Sequence, residues 1–257
     1  MKTGLLILLW LPMIGFGQTL IPDANFEQAL INLGYDTGSP NGSVPTANIN
    51  TITFLDVSFT ITPNSSGIAD LTGIEDFTAL TELNCRNNQL TSLDVSQNTV
   101  LTELNCQNNQ LISLDVSQNT ALIYLWCGNN QIECLEVISN TALITLNAEV
   151  NLLEQLNTKN GNFLNMNVNA ESNNLTCVEV ENINATANWL FDNGVVFNAD
   201  CNYTNPCATV SAIKEHTTNK ELLKITDLLG RETKGTKNEV LFYIYDDGTV
   251  EKIIIIE

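Results

Sequence analysis

The chain has 257 residues and a formal net charge of −19, from 29 Asp and Glu against 10 Lys and Arg, with one histidine. So negative a chain repels phosphate backbones, which excludes nucleic acid as a partner. Hydrophobic residues are 44% of the chain, enough for a core, yet past the N-terminus no run approaches the ~20 apolar residues of a membrane helix.

Residues 1–17 carry one basic residue, Lys2, then an apolar run and the small residues Gly15 and Gly17 before Gln18. This pattern predicts a secretory signal peptide cleaved between Gly17 and Gln18, with no lipid-attachment Cys after it. Residues 18–47 read as a helical cap. Asp23 is the expected N-cap, Phe26, Ala29, Leu30 and Leu33 share one helical face, and Gly34 ends the helix.

Residues 48–180 repeat. Leu80, Leu101, Leu122 and Leu143 head successive 21-residue units, and within each the spacing is Leu83, Cys85, Asn88, Leu90, then Leu104, Cys106, Asn109, Leu111, then Leu125, Cys127, Asn130, Ile132. A fixed period of this length marks a solenoid, in which each coil buries its apolar edge against its neighbours. The period-2 pairs predict a short strand with Leu and Cys inward. Asn88, Asn109, Asn130 and Asn151 form a second inward column, whose amides can bond the turning backbone as a ladder. Leu93, Val95 and Asn98 lie on the outer return. The spacing resembles the leucine-rich repeat, with Cys in the third apolar slot. That implies an α/β-type repeat solenoid whose parallel β-sheet forms a concave face. Ile52, Leu55 and Val57 extend the pattern upstream across an insertion, TPNSSG, and Val168, Ala170, Asn173 and Leu175 extend it downstream one residue out of phase, giving about six coils.

Residues 181–207 supply the far cap, with Trp189, Leu190, Phe191 and Phe197 as its core. Seven Cys in an exported chain invite disulfides. Cys177 with Cys201 is the expected pair, and Cys201 with Cys207 its competitor. Cys134 stands where other copies have Ser92 and Ser113, and reads as a tolerated surface substitution. Residues 208–221 form a linker. In 222–257, Leu223 and Ile225 read as a strand and Val240–Tyr245 with 250–256 as a hairpin around Asp246, Asp247 and Gly248. This small all-β tail is similar to the C-terminal sorting domain of the type IX secretion system, through Ile225, Asp227, Gly230, Arg231, Tyr243, Tyr245, Gly248 and the end at 252–256. It lacks the usual Pro-Asn-Pro-like first segment. The resemblance implies passage through the outer membrane by the type IX machinery and attachment at the cell surface. The body is similar to internalin-like surface proteins in its repeats and helical cap.

The lone histidine, His216, falls in the linker, so Ser-His and Cys-His nucleophile systems lack a base in the body. Several-His zinc sites are excluded, and no calcium-loop motif is present. No cofactor or catalysis is expected. Carboxylate-only glycan chemistry is the minor alternative. Between Gln18 and Ala212 the only basic residues are Arg86 and Lys159, against 20 acids, which suits a basic partner or divalent cations. The chain is expected to bind a protein or polysaccharide, with a passive surface spacer as the alternative. Positions flanking the inward pair distinguish the two, because a spacer has no reason to vary them. They read Glu82, Glu103, Tyr124, Thr145; Asn84, Asn105, Trp126, Asn147; and Arg86, Gln107, Gly128, Glu149. Tyr124 and Trp126, two apart on one strand, emerge on the same side, and Gly128 is expected to leave open space beside them. The expected ligand-binding residues are therefore Tyr124, Trp126, Glu103, Asn105, Gln107, Asn147 and Glu149.

Overall fold

A computed structural model describes residues 17–58, 67–162, 164–182, 189–203 and 207, together with three strands of the tail. The signal segment 1–16, most of the TPNSSG insertion, the linker with His216 and the tail turn at 246–248 lie outside the described residues. The chain divides into two units, 1–210 and 211–257.

In the first unit the elements run β1 (Gln18–Leu20), α1 (Ala24–Asn32), β2 (Ser43–Pro45), α2 (Thr46–Ile49) and β3 (Phe54–Asp56). They continue with β4 (Glu82–Asn84), β5 (Glu103–Asn105), β6 (Tyr124–Trp126), β7 (Cys134–Glu136), β8 (Thr145–Asn147), β9 (Gln155–Asn157), β10 (Asn167–Asn169), β11 (Cys177–Glu179) and β12 (Val196–Asn198). β3, β4, β5, β6, β8 and β10 form one parallel sheet, in register through Leu55, Leu83, Leu104, Leu125, Leu146 and Val168. Each of these side chains is buried, as are Cys85, Cys106 and Cys127 and the unit heads Leu80, Leu101, Leu122 and Leu143. The 21-residue period is thus the length of one coil.

Polar ladders fix the coils to one another. Asn109 accepts the Leu90 N–H at 3.0 Å through its amide oxygen and donates to the Cys85 and Cys106 carbonyls at 3.0 Å each. Asn88, Asn130 and Asn151 repeat this arrangement. A second column, Asn98, Asn119 and Asn140, is fully buried on the outer half and donates to the carbonyls of the preceding coil. At the turn out of each strand the backbone enters the left-handed region, at Asn87 (φ 58°), Asn108 (55°), Asn129 (54°) and Val150 (52°). Asn tolerates that conformation; a β-branched Val does not.

A second parallel sheet, β7-β9-β11-β12, forms on the outer half of the later coils. The repeat pattern did not predict it. In the earlier copies Asp94 and Asp115 accept the N–H of Ser96 and Ser117 at 2.9 and 2.8 Å. Such side-chain turns compete with a strand ladder. The third copy has Glu136 and Ile138 in those slots, and its backbone pairs with β9 instead.

At the N-terminal end, Asp23 caps α1 from the N–H groups of Asn25 and Phe26, and its other oxygen accepts Ala69 and Asp70 N–H. One carboxylate thereby ties the helix start to the first coil. Phe26, Ala29 and Leu30 are buried, Phe26 beside Phe77, whereas Leu33 is the C-cap and 42% exposed because the helix ends there. The aromatic cluster at the other end joins Trp189, Phe191 and Phe197 by ring contacts, and the Trp189 indole donates to the Met166 carbonyl. Leu190, expected in that core, is 51% exposed.

Cys177 is bonded to Cys201, and Cys134 to Cys207. Cys134 is therefore not a surface substitution: it is buried, and its bond ties Cys207 to the second sheet, on which the described residues 199–203 lie as a strap. Midway along, the Tyr203 hydroxyl donates to the Cys177 carbonyl at 2.6 Å and accepts the Leu156 N–H at 3.3 Å. Burial pushes that hydroxyl above its ordinary pKa. In the second unit, β13 (Leu222–Thr226), β14 (Val240–Tyr245) and β15 (Val250–Ile254) form an antiparallel meander.

Candidate concave-face binding site

Alternation along each three-residue strand decides the site. The central Leu points into the core and the residues either side of it point outward. Register stacks those outward residues into two columns: Phe54, Glu82, Glu103, Tyr124, Thr145, Asn167, and Asp56, Asn84, Asn105, Trp126, Asn147, Asn169. Tyr124 and Trp126 stand side by side with ring centroids 5.5 Å apart and planes within 7°. Phe54, on the first strand, is 53% exposed. Between Phe54 and Trp126 lies a shallow groove of about 150 Å³, floored by Glu82, Asn84, Glu103 and Asn105.

The amide oxygens are already committed. Those of Asn84, Asn105 and Asn147 accept the N–H two residues on, from Arg86, Gln107 and Glu149, at 3.4, 3.2 and 3.3 Å. This fixes each side chain with its NH2 group outward, and among the described residues those three NH2 groups donate to no partner. Asn169 differs, donating to the Glu149 carboxylate at 2.7 Å.

Of the residues expected to bind, Trp126, Glu103 and Asn105 line the groove and Tyr124 stacks on its Trp126 wall. Asn147 lies beside Trp126 in register but outside the groove. Glu149 is engaged by Asn169, and Gln107 is half-buried one slot further along the turn. Gly128 does not open space beside the rings. It is buried, and a Cβ there would meet the Asn147 amide oxygen at 2.8 Å and the Glu149 carbonyl oxygen at 3.0 Å. Phe54 is the wall that the repeat pattern missed. It precedes Leu55 as Glu82 precedes Leu83; extending the strand pattern to Leu55 implies that place, which outward columns begun at Glu82 leave out. The described residues contain no group of three or more His, Cys, Asp or Glu arranged to hold a metal.

The inner row of thiols is inert. Cys85, Cys106 and Cys127 are fully buried and unbonded to one another. Burial pushes Cys85 and Cys127 up to about 12, and raises Cys106 well above the ordinary thiol range, with its two Cys neighbours adding to the effect.

Residues 99–140 match the family model described as Leucine Rich repeats (2 copies). The body is a parallel-sheet solenoid of stacked coils, consistent with a leucine-rich repeat fold. It is similar to the internalins. A stretch of 36 residues is 58% identical to internalin J of Listeria monocytogenes, covering 14% of this chain and 4% of that protein. Among solved structures, the functional domain of internalin J, described as including a cysteine ladder, superposes with a TM-score of 0.51 and 26% identity. That superposition covers 70% of this chain and 48% of the other, so this chain spans about half of that relative. A leucine-rich repeat protein of Leptospira interrogans gives a TM-score of 0.41 at 27% identity, covering 47% of this chain and 32% of that one. No helix among the described residues is long and apolar enough to cross a membrane.

Proposed function

We propose that this is an exported, cell-surface recognition protein that binds a protein or glycan ligand through the concave face, centred on Tyr124 and Trp126. The observation that carries the reading is the placement of variation. The inward Leu, Cys and Asn columns hold from coil to coil, while the outward columns change from Glu and Asn to a stacked Tyr and Trp on β6. Exposed amphipathic rings supply contact area at low entropic cost and dominate binding hot spots. The internalin likeness supports a binding role, and the copy-to-copy variation disfavours a passive spacer.

Screening the full chain on protein and glycan arrays, then repeating the screen with Trp126→Ala, tests this. Loss of at least ~2 kcal/mol of binding is expected, with little change in melting temperature because the ring lies outside the core. Unchanged binding would place the site elsewhere; a collapsed melting temperature would make Trp126 structural.

Export rests on the N-terminal segment and on the tail, whose terminal position and residues are similar to type IX sorting domains. On this reading the tail acts in transport and takes no part in ligand binding. Deleting residues 222–257 should leave a folded body in the periplasm; normal surface display after the deletion would overturn it.

A further inference from the structure

We infer that the groove between Phe54 and Trp126 receives a Lys or Arg side chain from an extended, basic segment of a partner protein. This rests on the reading of the concave face given above and commits it to one class of ligand.

Charge decides the class. Glu82 and Glu103 are register partners on adjacent parallel strands, which places their backbones only about 4.8 Å apart. Like charges directly opposed across a ladder are destabilising. Nothing among the described residues relieves them. Lys159 is committed to Glu179 at 2.8 Å and to the Ala199 carbonyl, and Arg86 stands exposed at the turn without an ion pair. The fold thus holds two adjacent, uncompensated carboxylates on the floor of a groove. A neutral sugar seated there would desolvate both without supplying a counter-charge, which is unfavourable. An ammonium or guanidinium group supplies it.

The walls fit the same occupant. Phe54 and Trp126 stand three strand spacings apart, roughly 14 Å by the usual inter-strand distance. Aromatic faces attract a cation within about 6 Å of the ring, so a charge seated between walls this far apart engages one ring while the other packs on its aliphatic stem. The NH2 groups of Asn84 and Asn105, held outward by their backbone bonds, are donors for the carbonyls of a peptide backbone. Carboxylates for the charge, rings for its aliphatic stem and amides for the main chain describe a basic peptide. The charge of the body, with 20 acids against two basic residues between Gln18 and Ala212, draws such a segment in from a distance.

The test is calorimetric titration of the full chain at low ionic strength with a hexa-arginine peptide, using a hexa-glutamine peptide as the neutral control. The parent should bind the basic peptide and ignore the neutral one. Glu82→Gln with Glu103→Gln should weaken binding at least tenfold and Trp126→Ala about thirtyfold, whereas Glu154→Gln, an exposed acid away from the groove, should change it less than twofold. The double variant should melt no lower than the parent, since relief of the Glu82–Glu103 repulsion offsets any lost contact. Equal weakening by the double variant and by Glu154→Gln would mean diffuse attraction to an acidic surface and would overturn the inference. Glycan binding that is lost in Trp126→Ala but kept in the double variant would also overturn it, while leaving the concave face as the binding surface. If no ligand, basic or glycan, responds to Trp126→Ala, the concave-face reading falls as well.

Discussion

Asn109 and Asn119 provide a test in which burial and hydrogen bonding give opposite answers. Asn119 is fully buried and Asn109 is 9% exposed, so burial alone makes Asn119→Ala the costlier change. The bonds say otherwise. Asn119 donates to the Val95 and Asn98 carbonyls at 2.9 and 3.0 Å, and its amide oxygen has no protein partner. Both carbonyls also accept a backbone N–H, from Asn98 and Leu101, so truncation orphans neither. The expected cost is two ordinary bonds, about 2 kcal/mol. Asn109 makes the equivalent two donations, to Cys85 and Cys106, whose carbonyls keep the amides of Asn88 and Asn130, and a longer third at 3.3 Å to the Gln107 carbonyl, which keeps the Asn87 N–H. Its oxygen also holds the buried Leu90 N–H, which has no other acceptor among the described residues. Losing that bond and stranding the donor adds roughly 2 kcal/mol or more, for a total of about 4 kcal/mol. Urea and thermal unfolding of the two variants should therefore separate by about 2 kcal/mol, or roughly 4–8 °C for a body of this size. Equal losses, or a larger loss for Asn119→Ala, would refute the bond-by-bond argument.

Three further outcomes follow from the coils. The Cys85, Cys106 and Cys127 thiols should resist a thiol reagent in the native protein at pH 8 and react on unfolding. Because their folded pKa values are raised, Cys85 and Cys127 to about 12, their contribution to stability is full below the unfolded value of about 8.5 and falls as pH rises toward 12. Replacing Cys106 with Ala should flatten that alkaline decline, as measured by urea midpoints across the pH range. Val150→Asn should raise the urea midpoint by the equivalent of about 1 kcal/mol, since φ 52° is strained for Val and is held by Asn in three earlier copies; an unchanged or lower midpoint counts against it.

What was legible in the sequence is what the period repeats. The strand positions, the inward Leu and Cys rows and the Asn ladder recur every coil, so one coil read correctly gives the rest. The second sheet was not legible because it arises where the repeat changes, at Glu136 and Ile138, and two substitutions in one copy do not advertise a strand. The bond from Cys134 to Cys207 was hidden for a different reason. Its partners lie 73 residues apart, one inside the array and one beyond it, and no periodicity links them. At the site, Tyr124 and Trp126 were visible as departures from their columns. Phe54 was legible from Leu55 but falls outside columns begun at Glu82, and the role of Gly128 depends on how closely Asn147 and Glu149 approach it, which spacing does not report.

The strap sets how the solenoid should come apart. Its described residues meet β11 at Cys201, β9 at Tyr203 and β7 at Cys207, against the order in which those strands were laid down. β7 is the edge of the second sheet, because the earlier copies keep their Asp turns and offer no strand to pair with it. The two bonds span 73 and 24 residues, so chain entropy assigns them roughly 4 and 3.5 kcal/mol taken singly, and less together because one loop lies inside the other. Coils touch only their neighbours, so losing these constraints should act locally. Under a reductant that leaves the body folded, the amides of Leu156, Val178 and Phe197 should lose hydrogen-exchange protection while those of Leu83, Leu104 and Leu125 keep theirs. Cys134→Ser, with Cys177–Cys201 intact, should loosen β7 and β9 and spare β11 and β12. Uniform loss of protection along the whole array would show that the body opens as a single unit, and that the strap is not what holds its last coils.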